Sequence, residues 1–129
     1  MEAVEINAGG WYLRALRADD RISDVPALAD LGVTDPAVYV ARADDGWTHE
    51  TLLVWAVCIP TTGELVALIG VTGPTSSTTI SGRARAGYDD ALAAAAGPVR
   101  RFAEGALDRI VVTPPADSPE SVISGGNIP

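Results

Sequence analysis

Two long apolar runs stand out along the chain. Residues 51–60 read "TLLVWAVCIP" and residues 63–73 read "GELVALIGVTG". Each is short enough for a strand and rich in Val, Leu and Ile. The "PTTGE" between them carries Pro60 and Gly63 at hairpin-turn distance, which predicts an antiparallel pair. Upstream, "VEINAGGWYLRALRADD" (4–20) alternates, breaks at Gly9–Gly10 and alternates again, with Trp11, Leu13 and Ala15 on one side and Tyr12, Arg14 and Leu16 on the other. That pattern predicts one strand with a bend or bulge at the glycines. "DDRISDVPALADLG" (19–32) opens with acids and closes on glycine, as a short helix does, with Pro26 in its first turn or splitting it. "TDPAVYVARADDGW" (34–47) predicts a second helix that has Pro36 near its start, a weak face of Val38, Ala41 and Arg42, and a stop at Gly46.

The second half continues in the same alternation of elements. Polar, β-branched residues 74–81 predict a short strand. From Tyr88 the apolar positions Ala91, Leu92, Ala95, Val99, Phe102, Ala103 and Ala106 recur at intervals of three and four, a helical face. Gly97–Pro98 interrupts it; proline lacks an N–H and clashes with the preceding turn, so a break or kink is expected there. "DRIVVTPP" (108–115) reads as a strand and "DSPESVISGG" (117–126) as a last short helix. No internal repeat or linker interrupts the chain, which predicts a single domain over 1–129.

Composition narrows the function. The 129 residues are 47% hydrophobic and only 20% charged, with a net charge of −8. All nine basic residues are arginine, and the largest basic cluster is Arg100–Arg101. Such a chain argues against nucleic-acid binding. Cys58 is the one cysteine, inside an apolar run, which suits a buried thiol and a reducing, cytoplasmic setting. The acidic N-terminus is unlike a signal peptide, and no run approaches the ~20 apolar residues of a membrane span.

The order strand, two helices, three strands, helix, strand, helix resembles the GNAT superfamily of acyl-CoA-dependent N-acyltransferases, in particular the branch that acetylates ribosomal proteins and protein N-termini. "WYLRALRADD" looks like the family's first strand entering its first helix. "WAVCIPTTGELVALIGV" looks like its second and third strands, "GRARAGYDDAL" like its phosphate loop and central helix, and "LDRIVVTPPADSPES" like its fifth strand and the turn that follows. The resemblance implies an α/β fold with a mixed, mostly antiparallel sheet and helices on both faces, ending before the family's final two strands. It implies acetyl-CoA as cofactor, a small-molecule or peptide amine as partner, and a CoA loop at Arg83, Ala84, Arg85, Ala86, Gly87 and Tyr88. There backbone N–H groups and a helix N-terminus would face the pyrophosphate. Ala84 and Ala86 stand where the family often has glycine. If those positions need positive φ, each alanine costs about 1–2 kcal/mol and CoA affinity falls to the micromolar range or weaker; if not, they cost little. Asp89 and Asp90 would share the helix's positive end.

The catalytic roles stay unassigned. Residues 72–82 contain no Asp, Glu or His, and residues 113–129 no Tyr, so the family's usual base and acid find no counterpart. A scaffold of this fold without acyl transfer, binding a small molecule or acting as an interaction module, is the alternative. Tyr39, Trp47 and Trp55 are candidates to line a substrate pocket, against the commoner role of aromatics in packing. Arg83 and Arg85 are equally readable as phosphate ligands or as solvated loop residues, and Tyr88 and His49 as structural. No metal-ligand spacing occurs. The apolar "DRIVV" has no lysine to blunt an exposed edge, which predicts a homodimer through Ile110, Val111 or Val112, unless residues 121–129 fold back over it.

Overall fold

The computed structural model describes residues 1–112. Five strands form one antiparallel sheet in chain order: β1 (Ile6–Ala8), β2 (Trp11–Arg14), β3 (Leu52–Cys58), β4 (Leu65–Thr72) and β5 (Thr79–Ala84). Helices α1 (Val25–Asp30) and α2 (Pro36–His49) lie between β2 and β3, and α3 (Asp89–Gly105) follows β5. The two apolar runs are the central hairpin β3–β4, paired from Leu52↔Thr72 to Cys58↔Leu65 with an irregularity at Val57/Cys58. Every residue of β3 is buried, because helices cover both faces of the sheet.

The two faces hold separate cores. On one, Leu13, Leu53, Trp55, Val57, Ile69 and Val71 meet α3 through Ala91, Ala95, Val99 and Ala103, a strict four-residue period of small side chains. Small residues let α3 settle close to the strands. At Gly82 the approach is tight enough that a Cβ would strike the Leu68 carbonyl and come within 2.8 Å of Leu92 Cδ1. On the other face Leu52, Val54, Ala56, Cys58, Leu65 and Leu68 meet Leu28 and Leu31 near α1, and Tyr39 and Ala43 of α2.

Several elements differ from their sequence-based expectation. Residues 4–20 are not one bent strand: Gly9, at φ +62°, and Gly10 turn the chain into the β1–β2 hairpin, with Ala8↔Trp11 as its closing pair. A two-residue Gly-Gly connection permits that tight reversal. Helix α1 is only six residues, with Pro26 at its start, because Asp19 accepts the N–H groups of Arg21 and Ile22 and holds 19–23 in a turn. Helix α2 buries Tyr39, Ala43, Gly46 and Trp47, not the face of Val38, Ala41 and Arg42, and runs through Gly46 to His49. Gly46 serves close packing: a Cβ there would strike the Leu52 carbonyl. Strand β5 starts and ends later than 74–81, taking in Arg83 and Ala84.

Helix α3 continues through Gly97–Pro98 to Gly105. The carbonyl that Pro98 cannot serve belongs to Ala94, which is exposed and open to water, while Ala95 and Val99 stay buried. Solvation of that one carbonyl and burial of the apolar stripe offset the missing bond. The strand expected over 108–115 is, within 108–112, a single parallel bridge between Val111 and Thr78. Arg109 explains the irregularity: its buried guanidinium donates to the carbonyls of Gly73 and Glu50 and to Thr78 Oγ1. Asp108, at φ +51°, makes the turn that sends it inward. The helix expected over 117–126 lies outside the described residues.

Candidate active site at the β5–α3 junction

The antiparallel register fixes which way each β5 backbone group points. Arg85 N–H bonds to Val66 C=O at 2.9 Å, and the Leu68↔Arg83 and Gly70↔Ser81 pairs continue the same ladder. Alternation then directs the N–H and C=O of Ile80, Gly82 and Ala84 away from β4, toward the outer edge. At the start of β5 that edge is covered, with Thr78 N–H on Ile110 C=O at 2.9 Å and Val112 N–H on Thr78 C=O at 2.8 Å. Beyond it, Ile80 to Ala84 carry no backbone partner on that side among the described residues.

The open edge leads into a short connection, Arg85–Tyr88, and then α3. Tyr88 N–H closes the turn on Arg85 C=O at 2.9 Å. The amides of Ala86, Gly87, Asp89 and Asp90 have no hydrogen-bond partner among the described residues. Gly87 alone in this loop has positive φ, +88°, with open space where a Cβ would stand. Ala84 and Ala86 adopt ordinary φ, so the strain considered for them does not arise. Asp90 turns its carboxylate onto the N–H of Ala91 at 3.1 Å. A row of unbonded amides at the start of a 17-residue helix suits a phosphate-bearing group.

The two arginines of the motif point elsewhere. Ser81, Arg83 and Arg85 alternate onto the α1/α2 face. Arg83 Nη1 donates to Leu31 C=O at 2.7 Å and lies against Gly32. Arg85 pairs through Nε with Asp30 and through Nη1 with Glu64, both at 2.9 Å. These side chains tie the junction to the end of α1 and to the β3–β4 turn, and in this arrangement neither faces the amides. The hydrogen bonds that Arg85 donates to Asp30 and Glu64 raise its pKa further above its already high value.

The aromatic candidates are core residues. Trp55 is fully buried, edge-on to Trp47 at 4.9 Å and to Phe102 at 5.7 Å between ring centroids. Trp47 Nε1 donates to Val54 C=O, where β2 no longer runs alongside β3, and Trp55 Nε1 donates to Val4 C=O. Tyr39 is buried with its hydroxyl unpartnered among the described residues, and burial pushes its pKa up. Tyr88 packs edge-on against Trp11 at 6.1 Å, just before α3. His49 is exposed at the end of α2, its Nδ1 3.0 Å from Asp45 C=O. Cys58 is buried, which lifts its thiol to about 11. The site therefore gathers Arg83 to Tyr88 at one junction and leaves Tyr39, Trp47 and Trp55 in the packing. The sequence reading named Ala84 but missed Ile80 and Gly82 on the same edge, though the alternation in "TISGRA" already separates them from the polar Ser81 and Arg83.

Among the described residues the last strand of the antiparallel sheet is open along part of one edge and feeds a helix N-terminus, and the chain's structural neighbours are acetyltransferases. An acetyltransferase from Agrobacterium tumefaciens str. C58 superposes with a TM-score of 0.71 at 16% identity, covering 98% of this chain and 84% of that one. A candidate ribosomal-protein-serine acetyltransferase from Vibrio cholerae gives 0.70 at 12%, covering 96% and 82%. A ribosomal-protein-S5-alanine acetyltransferase from Vibrio fischeri gives 0.67 at 9%, covering 96% and 81%. At these identities the likeness is one of fold. No family model and no curated protein matches the sequence. Among the described residues no helix is long and apolar enough to cross a membrane.

Proposed function

We propose that the chain is an acyl-CoA-dependent N-acyltransferase acting on a small amine or a peptide N-terminus, with acetyl-CoA as donor. The observation that carries this reading is the continuity of the open β5 edge with the unbonded amides of Ala86, Gly87, Asp89 and Asp90. An extended ligand with amide groups along one half and phosphates at one end matches both parts. Ile80, Gly82 and Ala84 would pair with the amide arm as a further strand would, and Ala86 to Asp90 would hold the phosphates. In the transfer, the amine nitrogen forms a bond to the thioester carbonyl carbon, the C–S bond breaks, and the amine's proton passes through water to the departing thiolate. The chain's contribution is to hold the donor extended beside the acceptor, which lowers the entropic part of the barrier. Acetyltransferase function in the structural neighbours, two of them named for ribosomal proteins, supports the reading.

Calorimetry with acetyl-CoA tests it directly. Saturable binding is expected, weakened by Gly87→Ala; absence of binding at millimolar acetyl-CoA overturns it. Thiol release from acetyl-CoA with a panel of amines and short peptides then separates small-amine from peptide acceptors. The second reading, a scaffold of this fold without transfer, is favoured by the lack of Asp, Glu or His over 72–82, and binding without thiol release for any acceptor is its signature. We also propose a homodimer that covers Ile110, which is 62% exposed beside the Val111 bridge. Light scattering should give twice the 13.3 kDa of one chain.

A further inference from the structure

A pocket of about 360 Å³ opens on the α1 side of the sheet, between the segment Arg21–Ala27 and the β3–β4 turn, with Arg85 at one end. It is separate from the β5 edge, and its size suits a small ligand. Its free polar groups are mostly donors. The Arg21 side chain is exposed and makes no hydrogen bond or ion pair among the described residues. Ser23 Oγ accepts Val25 N–H and Thr62 Oγ1 accepts Glu64 N–H, which leaves both hydroxyl hydrogens free to donate. Asp24 offers no competing charge. Both its oxygens are held by Arg14, and one also accepts Arg17 N–H. The acceptor that remains is Glu64, and it sits on Arg85 Nη1 at 2.9 Å.

The cation at the pocket's end thus carries two of the chain's own carboxylates, Asp30 on Nε and Glu64 on Nη1, and Glu64 is the one that lines the pocket. The Glu64 side chain is 55% exposed and that of Arg85 26%, so the pair is open to exchange with a soluble competitor. Ile22 and Pro26 supply an apolar wall beside it. We propose that this pocket binds a small organic carboxylate, whose head group replaces Glu64 on Arg85, is met by Arg21, and lays its hydrocarbon part on Ile22 and Pro26. The site is independent of the acyl-CoA reading. It also touches that junction, because Arg85 N–H and C=O frame the loop through Val66 and Tyr88.

Titration of the ¹⁵N-labelled chain with propionate and succinate, at ionic strength matched with NaCl, is the test. Saturable shifts are expected, confined to the amides of 21–27 and 62–65 and to Arg85 Nε. Glu64→Gln removes the internal competitor and should tighten binding roughly two- to fivefold, while Arg21→Gln should loosen it by a similar factor, the range for partly exposed ionic contacts. Both positions are exposed at the surface, and spectral dispersion reports that each variant is folded. Shifts that do not saturate or match those of NaCl alone overturn the proposal. So does a Glu64→Gln variant that binds no more tightly, or inorganic phosphate binding as well as succinate. Loss of acetyl-CoA binding with these shifts intact would instead count against the transferase reading alone.

Discussion

The two faces of the sheet are built by different means. The α3 face is packed by apolar side chains, with one buried guanidinium, Arg109, in the chain that follows α3. The α1/α2 face has an apolar centre, but its margins are held by arginines. Arg14, 5% exposed, grips both Asp24 oxygens at 2.9 Å and also bonds Gly63 C=O; Arg83 holds Leu31 C=O; Arg85 holds Asp30 and Glu64. Apolar packing fixes a layer's separation and leaves lateral position loosely specified, whereas a bidentate guanidinium fixes direction as well as distance. A six-residue helix such as α1 has little apolar surface with which to place itself, and the arginines supply that placement. The candidate donor site lies along the edge of this sheet and the pocket lies on the arginine-held side.

Breaking the apolar face should have the largest effect. Trp55→Ala removes a fully buried side chain contacted by Trp47 and Phe102 and should cost about 3–5 kcal/mol in urea unfolding. Asp24→Ala, which strands Arg14 in a buried position, should cost about 3 kcal/mol or more. The pair Arg14→Met with Asp24→Leu sharpens the contrast: it should recover most of that stability, yet broaden the amide signals of α1 if direction is what the ions provide. Gly87→Ala should cost about 1–2 kcal/mol from its positive φ, and comparing acetyl-CoA affinity with stability in that variant separates loop strain from site loss. The smallest effect is local. The Asp19 carboxyl is lowered to about 2 by Arg17 and by the amides of Ile22 and Arg21. A depressed folded pKa gives support that is present above the ordinary carboxylate range and lost as pH falls through about 2. NMR titration should show the 17–23 turn loosening between pH ~4 and ~2 with β3 and β4 unaffected.

Legibility in the sequence followed the same division. Periodicity located the central hairpin, both long helices and the α3 stripe, because burial on a sheet imposes a period that any apolar residue satisfies. It failed on α2, where Val38 and Ala41 matched a helical face as well as Tyr39 and Ala43 did, and only tertiary contact decided between them. Gly9–Gly10 carried the signal for a turn, but the three-residue β1 is too short to announce itself as a strand. Pro98 was weighed as a local defect, and its cost depends on whether Ala94 meets water, a tertiary fact. The junction at Arg83 to Tyr88 was found through its likeness to a family motif, yet the partners of its arginines lie 20 to 55 residues away in sequence and leave no local trace.

The edge-on contact of Trp11 with Tyr88 has an optical consequence. Trp47 and Trp55 are sealed in the core, whereas Trp11 is only half-buried and rests on Tyr88, the residue just before α3. The chain thus carries one indole whose emission reads the junction and two that read the integrity of the fold. Blue-edge emission should report unfolding, red-edge emission should report events at Tyr88, and Trp11→Phe should silence the second signal while leaving the first. The molecule is a two-channel fluorimeter that needs no label.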